Sequence, residues 1–113
     1  MCNKNQLASI TDDVVKKATS VLGNKLTSVI LYGSYARGDY DGESDIDIMI
    51  VADISASELS KITKEFIDFS VDIDLKHDIV LSITLQDKST YDRYKETYPF
   101  FRNIEKEGVD LVA

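Results

Sequence analysis

Along the first fifth of the chain the apolar residues Leu7, Ile10, Val14, Ala18, Val21 and Leu22 recur mostly at spacings of three and four, the period of one helix face. This predicts a packing helix from Gln6 to Leu22, closed at Gly23-Asn24 in the manner of a C-cap. Leu26 to Tyr32 is a short, nearly continuous apolar run suited to a buried strand. From Asp45 to Val51 the pattern changes to alternation, in which a strand points Asp45 and Asp47 to one face and Ile46, Ile48 and Ile50 to the other. The chain then turns at Asp53 to Ser55. Ser55-Ala56-Ser57-Glu58 has the form of a capping box before Leu59, Ile62, Phe66 and Phe69, which predicts a second amphipathic helix.

Val71 to Leu75 alternates around Asp72 and Asp74 and reads equally as strand or connection, whereas His77 to Leu85 is rich in β-branched residues and reads as a strand. Asp87 can cap a helix carrying Tyr91 and Tyr94. Pro99 suits the first turn of a last helix through Phe100, Phe101 and Ile104. Gly108 ends that helix, leaving Val109 to Val112 as a short terminal strand. Helices alternating with strands predict an α/β or α+β fold: a small mixed sheet of three to five strands, helices packed on one face, and part of the sheet open for a site.

Length and charge narrow the function. With 113 residues and 43% apolar content, the chain suits one domain, residues 1–113, with one core. Twenty acidic residues against thirteen basic ones give a net charge of -7, which argues against stable binding to nucleic-acid phosphates. The only cysteine, Cys2, can form no internal disulfide, so a reducing cytoplasm is the expected location. The N-terminal residues lack the apolar core of a signal peptide, and no run approaches a membrane span.

The chemistry concentrates in Leu31 to Val51, LYGSYARGDYDGESDIDIMIV. Asp45 and Asp47 side by side repel at neutral pH and call for a cation or raised pKa values. Their oxygens suit Mg²⁺, which takes one or two carboxylates plus substrate phosphates. Upstream, the strand runs into Gly33-Ser34, where glycine permits close backbone approach and the following turn Tyr35-Ala36-Arg37 can present amides to an anion. Ten residues separate Ser34 from Asp45, enough for one helical turn and a loop through Gly38-Asp39-Tyr40-Asp41-Gly42 back to the adjacent strand.

Alone, each feature has a plain structural explanation. Alternating aspartates are common on a half-exposed strand, and Asp72-Ile73-Asp74 repeats the spelling with no glycine turn before it, so that second pair reads as a solvated face or loop. The joint spacing of the Gly-Ser turn and the first pair is what such explanations leave out. Other motifs fail: no glycine here precedes a Lys-Ser/Thr pair as in a Walker A loop, the acidic run from Asp39 has Ser44 where a calcium loop needs glycine, and Gly33 to Gly38 lacks the middle glycine of a dinucleotide fingerprint. One histidine and one cysteine give no material for a zinc site or a Cys-His nucleophile.

GSYARGDYDGESDIDIMIV, with Gly-Ser followed after ten residues by Asp-x-Asp, resembles the signature of the DNA polymerase beta nucleotidyltransferase superfamily, and most closely its minimal nucleotidyltransferases. Those are small prokaryotic proteins often encoded beside a HEPN-domain partner in toxin-antitoxin pairs. The ending YPFFRNIEKEGVDLVA resembles their usual tail, so the likeness covers nearly the whole chain. It implies a polymerase beta-like fold in which Gly33 and Ser34 contact the triphosphate and Asp45 and Asp47 ligate two Mg²⁺ ions.

The resemblance also implies a third metal-binding carboxylate on a later strand. Asp78, at the start of the strand Ile79 to Leu85, is the choice, with Asp74 and Asp72 as alternatives. Arg37, one turn after Ser34, can meet a phosphate. His77 reads as an exposed neighbour of Asp78. The tyrosines read as core or loop residues, with Tyr35 and Tyr40 able to serve as modification or stacking groups.

The activity so implied is Mg²⁺-dependent transfer of AMP from ATP to a hydroxyl of a protein acceptor, a tyrosine of a HEPN toxin, by the antitoxin of the pair. The alternative is a non-catalytic antitoxin or nucleotide-binding module that occludes its partner.

Overall fold

The computed structural model describes residues 3–40 and 45–112. Cys2 and the loop positions Asp41 to Ser44 lie outside the described residues. Helix α1 (Lys4–Leu22) starts at Asn3, whose side chain accepts from the Gln6 N–H, and ends at Gly23, whose φ of 55° only glycine adopts freely. A 3₁₀ turn, Gly23–Lys25, leads into β1 (Leu26–Tyr32). The short α2 (Ser34–Arg37), β2 (Ile46–Ala52), α3 (Ala56–His77), β3 (Leu81–Asp87), α4 (Lys88–Tyr94), α5 (Pro99–Glu107) and β4 (Val109–Asp110) follow.

The strands form one mixed sheet in the order β3-β2-β1-β4. β1 runs antiparallel to β2 and to β4, while β2 and β3 are parallel, joined by the long crossover of α3. This mixed α/β architecture is the one the alternation of helical and strand periods predicts. Ser55 caps α3 as expected, its hydroxyl accepting from the Glu58 N–H, while it donates to the Glu58 carboxylate in place of the backbone half of a capping box.

Two apolar layers hold the sheet. On one face Ile10, Val14, Ala18 and Leu22 of α1 and Phe66 and Ile73 of α3 pack on Val29, Leu31, Ile46, Ile48 and Ile50. The three isoleucines of β2 are fully buried there, a burial that contributes about 1.5–3 kcal/mol for each such side chain. The second face is covered as well, which the expectation of helices on one face did not include. Tyr91 of α4 and Phe101 and Ile104 of α5 pack on Ile30, Met49 and Val51. At the end of that face Asp47 stays partly exposed.

Two other differences concern the region after Phe69. Val71 to Leu75 belongs to α3, because Ile73 falls four residues after Phe69 and seven after Phe66 and is buried on their side. The apparent two-residue alternation is coincidental, and Ile67, Val71 and Leu75, four apart, form an exposed stripe of 55%, 48% and 80% accessibility. Accordingly the strand expected from His77 begins only at Leu81. His77 is the last residue of α3 and is half-buried against α1, where the Gln6 side-chain amide donates to its carbonyl.

Candidate active site at the end of the central strands

Antiparallel register places Tyr32 opposite Asp47. One residue further, Gly33 leaves β1 with φ 74° and ψ -155°, a conformation closed to most other residues, and caps the turn of α2. A Cβ built on Gly33 would lie 2.5 Å from Asp47 Oδ2. The glycine is therefore required twice, by its backbone angle and by the carboxylate packed against it. Ser34 opens α2, and its carbonyl accepts from the N–H groups of Gly38 and Asp39, which closes the turn.

β2 is not the half-exposed strand that its alternating sequence suggests. Met49 and Val51, on the same face as Asp47, are as buried as the isoleucines opposite. Asp47 alone within β2 is only partly covered, and Asp45, just before the strand, is exposed. Burial first, and the Asp45 charge second, push the Asp47 carboxyl upward from the ordinary carboxylate value, while Arg37 pulls it back. Asp45 and Asp47, two residues apart beside the Gly33 turn, offer hard oxygen donors suited to a divalent cation.

Arg37 sits at the end of α2 with its guanidinium paired to Asp39 at 3.2 Å and to Glu107 of α5 at 3.4 Å. Both partners raise its pKa, and Arg37 lines one groove with Gly33 and Glu107. Tyr35 is buried and stacks on Tyr40 with ring centroids 4.3 Å apart. The two rings thus pack on each other, in keeping with a core or loop position.

The expected third carboxylate is placed differently from the sequence reading. Asp78 does not begin a strand; it is the exposed C-cap of α3, in the left-handed conformation (φ 54°, ψ 50°), with its N–H bonded to the Asp74 carbonyl. The physical reason is the crossover: α3 must stop and reverse before β3 can run parallel to β2, and an aspartate tolerates the left-handed residue that makes this turn. Asp78 remains at the same sheet edge as Asp45, since the Ile46 N–H bonds to the Val80 carbonyl two residues later. Asp74 is occupied in the same turn, accepting from the Leu81 N–H at 2.7 Å, and Asp72 is exposed on α3. Among the described residues no three His, Cys, Asp or Glu side chains converge to hold a metal.

The positions of β3 that share the face of Asp47 are Ser82, its register partner, and Thr84, the partner of Met49. Tyr32 shares that face, and burial raises its pKa, opposed by Thr84 and assisted to a smaller extent by Asp47. Tyr32 was read in the sequence as a core or loop tyrosine; its register opposite Asp47, available once both strands are paired, is the signal that relates it to the site.

Comparison with known proteins identifies the family. The family model described as a nucleotidyltransferase domain matches residues 12–109. A Methanocaldococcus jannaschii protein named "Putative protein adenylyltransferase MJ0141" is 33% identical over 108 residues, spanning 94% of this chain and 99% of its own. A second from the same organism, "Putative protein adenylyltransferase MJ0604", is 33% identical over 85% of this chain and 88% of its own. Among solved structures, a "putative nucleotidyltransferase from Sulfolobus solfataricus" superposes with a TM-score of 0.56 at 23% identity, covering 90% of this chain and 76% of that one. A toxin-antitoxin crystal structure with AMP-PNP superposes with a TM-score of 0.52 at 18% identity, covering 88% and 70%. These two show the shared fold. By the family match and by relatives of nearly equal length, the chain belongs to the nucleotidyltransferase domain family.

Proposed function

We propose that this nucleotidyltransferase moves AMP from ATP to a hydroxyl of a partner protein, a HEPN-domain toxin, as the antitoxin of the pair. The observation that supports the reading is the packing of Asp47 against Gly33, which brings one of the two carboxylates beside the turn that would admit a phosphate. Asp45 and Asp47 would hold Mg²⁺, two ions in all, with triphosphate oxygens completing the coordination. When bound, Mg²⁺ supplies charge stabilisation and a lowered pKa for the attacking hydroxyl.

The chain's own residues do the rest. The backbone at Gly33 and Ser34 admits the triphosphate closely, and Arg37 exchanges its exposed pairing with Asp39 and Glu107 for phosphate charge. The acceptor oxygen bonds to the α-phosphorus, the bond to the bridging oxygen breaks, pyrophosphate departs, and the acceptor proton passes to solvent.

A protein acceptor suits an acidic chain of net charge -7. The relatives named protein adenylyltransferases and the toxin-antitoxin neighbour with AMP-PNP support the donor and the partner class. Incubation with α-labelled ATP, Mg²⁺ and the HEPN partner should place label on the partner. A stable complex that stays unlabelled would contradict transfer.

That second result would favour occlusion without catalysis, for which one observation speaks. The stripe Ile67, Val71 and Leu75 is exposed on α3, a helix packed on the sheet face opposite Asp47, so a partner could bind there without meeting the site. Exposed apolar surface of this kind commonly marks an interaction face.

A further inference from the structure

Beside the Gly33 turn lies a groove formed by Tyr32, Gly33, Arg37, Phe100, Asn103 and Glu107, with Ile104 at its base. It encloses about 520 Å³, its open mouth included, ample for one heterocyclic base. One wall is α5, whose residues Phe100, Asn103 and Glu107 stand three and seven positions apart and so share a helix face. The other wall is the turn from Gly33 to Arg37.

Phe100 is the unusual member. It is 50% exposed, whereas the adjacent Phe101 is buried and closes the core beneath α5. Its ring meets Tyr32 edge-on with centroids 5.9 Å apart, and Tyr32 is the register partner of Asp47. An open aromatic face thus stands one ring away from the carboxylate pair, in the same groove as the phosphate turn. Asn103, also exposed, adds one amide that offers donor and acceptor together.

We infer that this groove is the nucleobase subsite: the base of the donor nucleotide stacks on Phe100, and the Asn103 amide hydrogen-bonds its edge. The inference rests on the nucleotidyl-transfer reading of the Gly33 and Asp47 site and adds the residues that would select the donor. Aromatic stacking accepts any base, whereas an asparagine amide matches the donor and acceptor of the adenine N6/N7 edge and not the two acceptors of the guanine O6/N7 edge. Phe100 is then a general affinity residue and Asn103 a discriminating one.

Isothermal titration in Mg²⁺ of the unaltered protein, Phe100→Ala, Phe100→Trp and Asn103→Ala, each with ATP, GTP and inorganic tripolyphosphate, tests this. Phe100→Ala should weaken ATP about tenfold, as loss of one base stack does, and leave tripolyphosphate within about twofold. Phe100→Trp should restore ATP, and Asn103→Ala should narrow the gap between ATP and GTP. Unchanged ATP affinity in Phe100→Ala, or equal losses for ATP and tripolyphosphate, would overturn the subsite while leaving the transfer reading intact. If the unaltered protein bound neither ATP nor tripolyphosphate, the transfer reading itself would fall, and the subsite with it.

Discussion

Gly33 and Asp47 are packed so closely that a single methyl group on the glycine would fall 2.5 Å from the carboxylate oxygen Oδ2. Since φ at Gly33 is 74°, Gly33→Ala meets backbone strain and side-chain overlap together. A cost of about 1–3 kcal/mol in stability is expected. The displaced Asp47 should also lower nucleotidyl transfer by about 100-fold, the effect of a misplacement near 1 Å. Urea unfolding and a single-turnover assay measure the two losses, and an alanine variant with unaltered turnover would show that the contact does not matter to the site.

Asp47 makes stability depend on pH and on cations. Its folded pKa is raised by burial and by Asp45, so the fold favours the protonated acid. The associated stability is present below the ordinary carboxylate value, about 3.9, and is lost as pH rises through the raised folded value. In EDTA at neutral pH, Asp47→Asn should therefore melt above the unaltered protein, with the difference fading as pH falls toward the ordinary value. Mg²⁺ at tenfold its Kd should return about 1.4 kcal/mol to the unaltered protein. Identical melting curves with and without Mg²⁺ would argue against a cation at this pair.

At α4 the sign is opposite. Asp87 caps the helix by accepting from the Thr90 N–H at 2.9 Å, and that bond lowers its pKa. Asp87→Ala should cost about 1 kcal/mol. The cap's contribution is present above the ordinary carboxylate value and lost as pH falls through the lower folded one. Urea midpoints at neutral and acid pH check this: the variant's deficit should shrink in acid, and a deficit that grew there would contradict the capping account.

Asp78 separates two ligand sets. Asparagine adopts the left-handed conformation almost as readily as aspartate, so Asp78→Asn keeps the C-cap of α3 and removes only the carboxylate charge. The resemblance assigns Asp78 to the ligand set, and on that assignment turnover in Asp78→Asn should fall by at least about 100-fold, the scale of removing a group acting in the transition state. Turnover within about tenfold of the unaltered protein would leave Asp45 and Asp47 as the ligands without Asp78.

What could be read in advance followed from local rules. The helix of Leu7 to Leu22, the strand Leu26 to Tyr32, the caps at Ser55 and Asp87 and the Pro99 start each depend on a few neighbouring residues, and all recur in the fold. The errors arose where tertiary context decides. Val71-Asp72-Ile73-Asp74-Leu75 satisfies a two-residue alternation, yet helical phase from Phe66 to Ile73 governs it. Asp78 looked like the head of a strand because β-branched residues follow, but the crossover needs its left-handed turn first. The pairing of Tyr32 with Asp47 and the approach of Phe100 join residues far apart in sequence, and no local period carries that information.

The most direct measurement is transfer of label from α-labelled ATP to the HEPN partner by the unaltered protein and by Asp47→Asn, with Mg²⁺ present. The account predicts a labelled partner with the former and a loss of at least about 1,000-fold with the latter, on the scale of removing a transition-state electrostatic group. Equal labelling by the two proteins would contradict it.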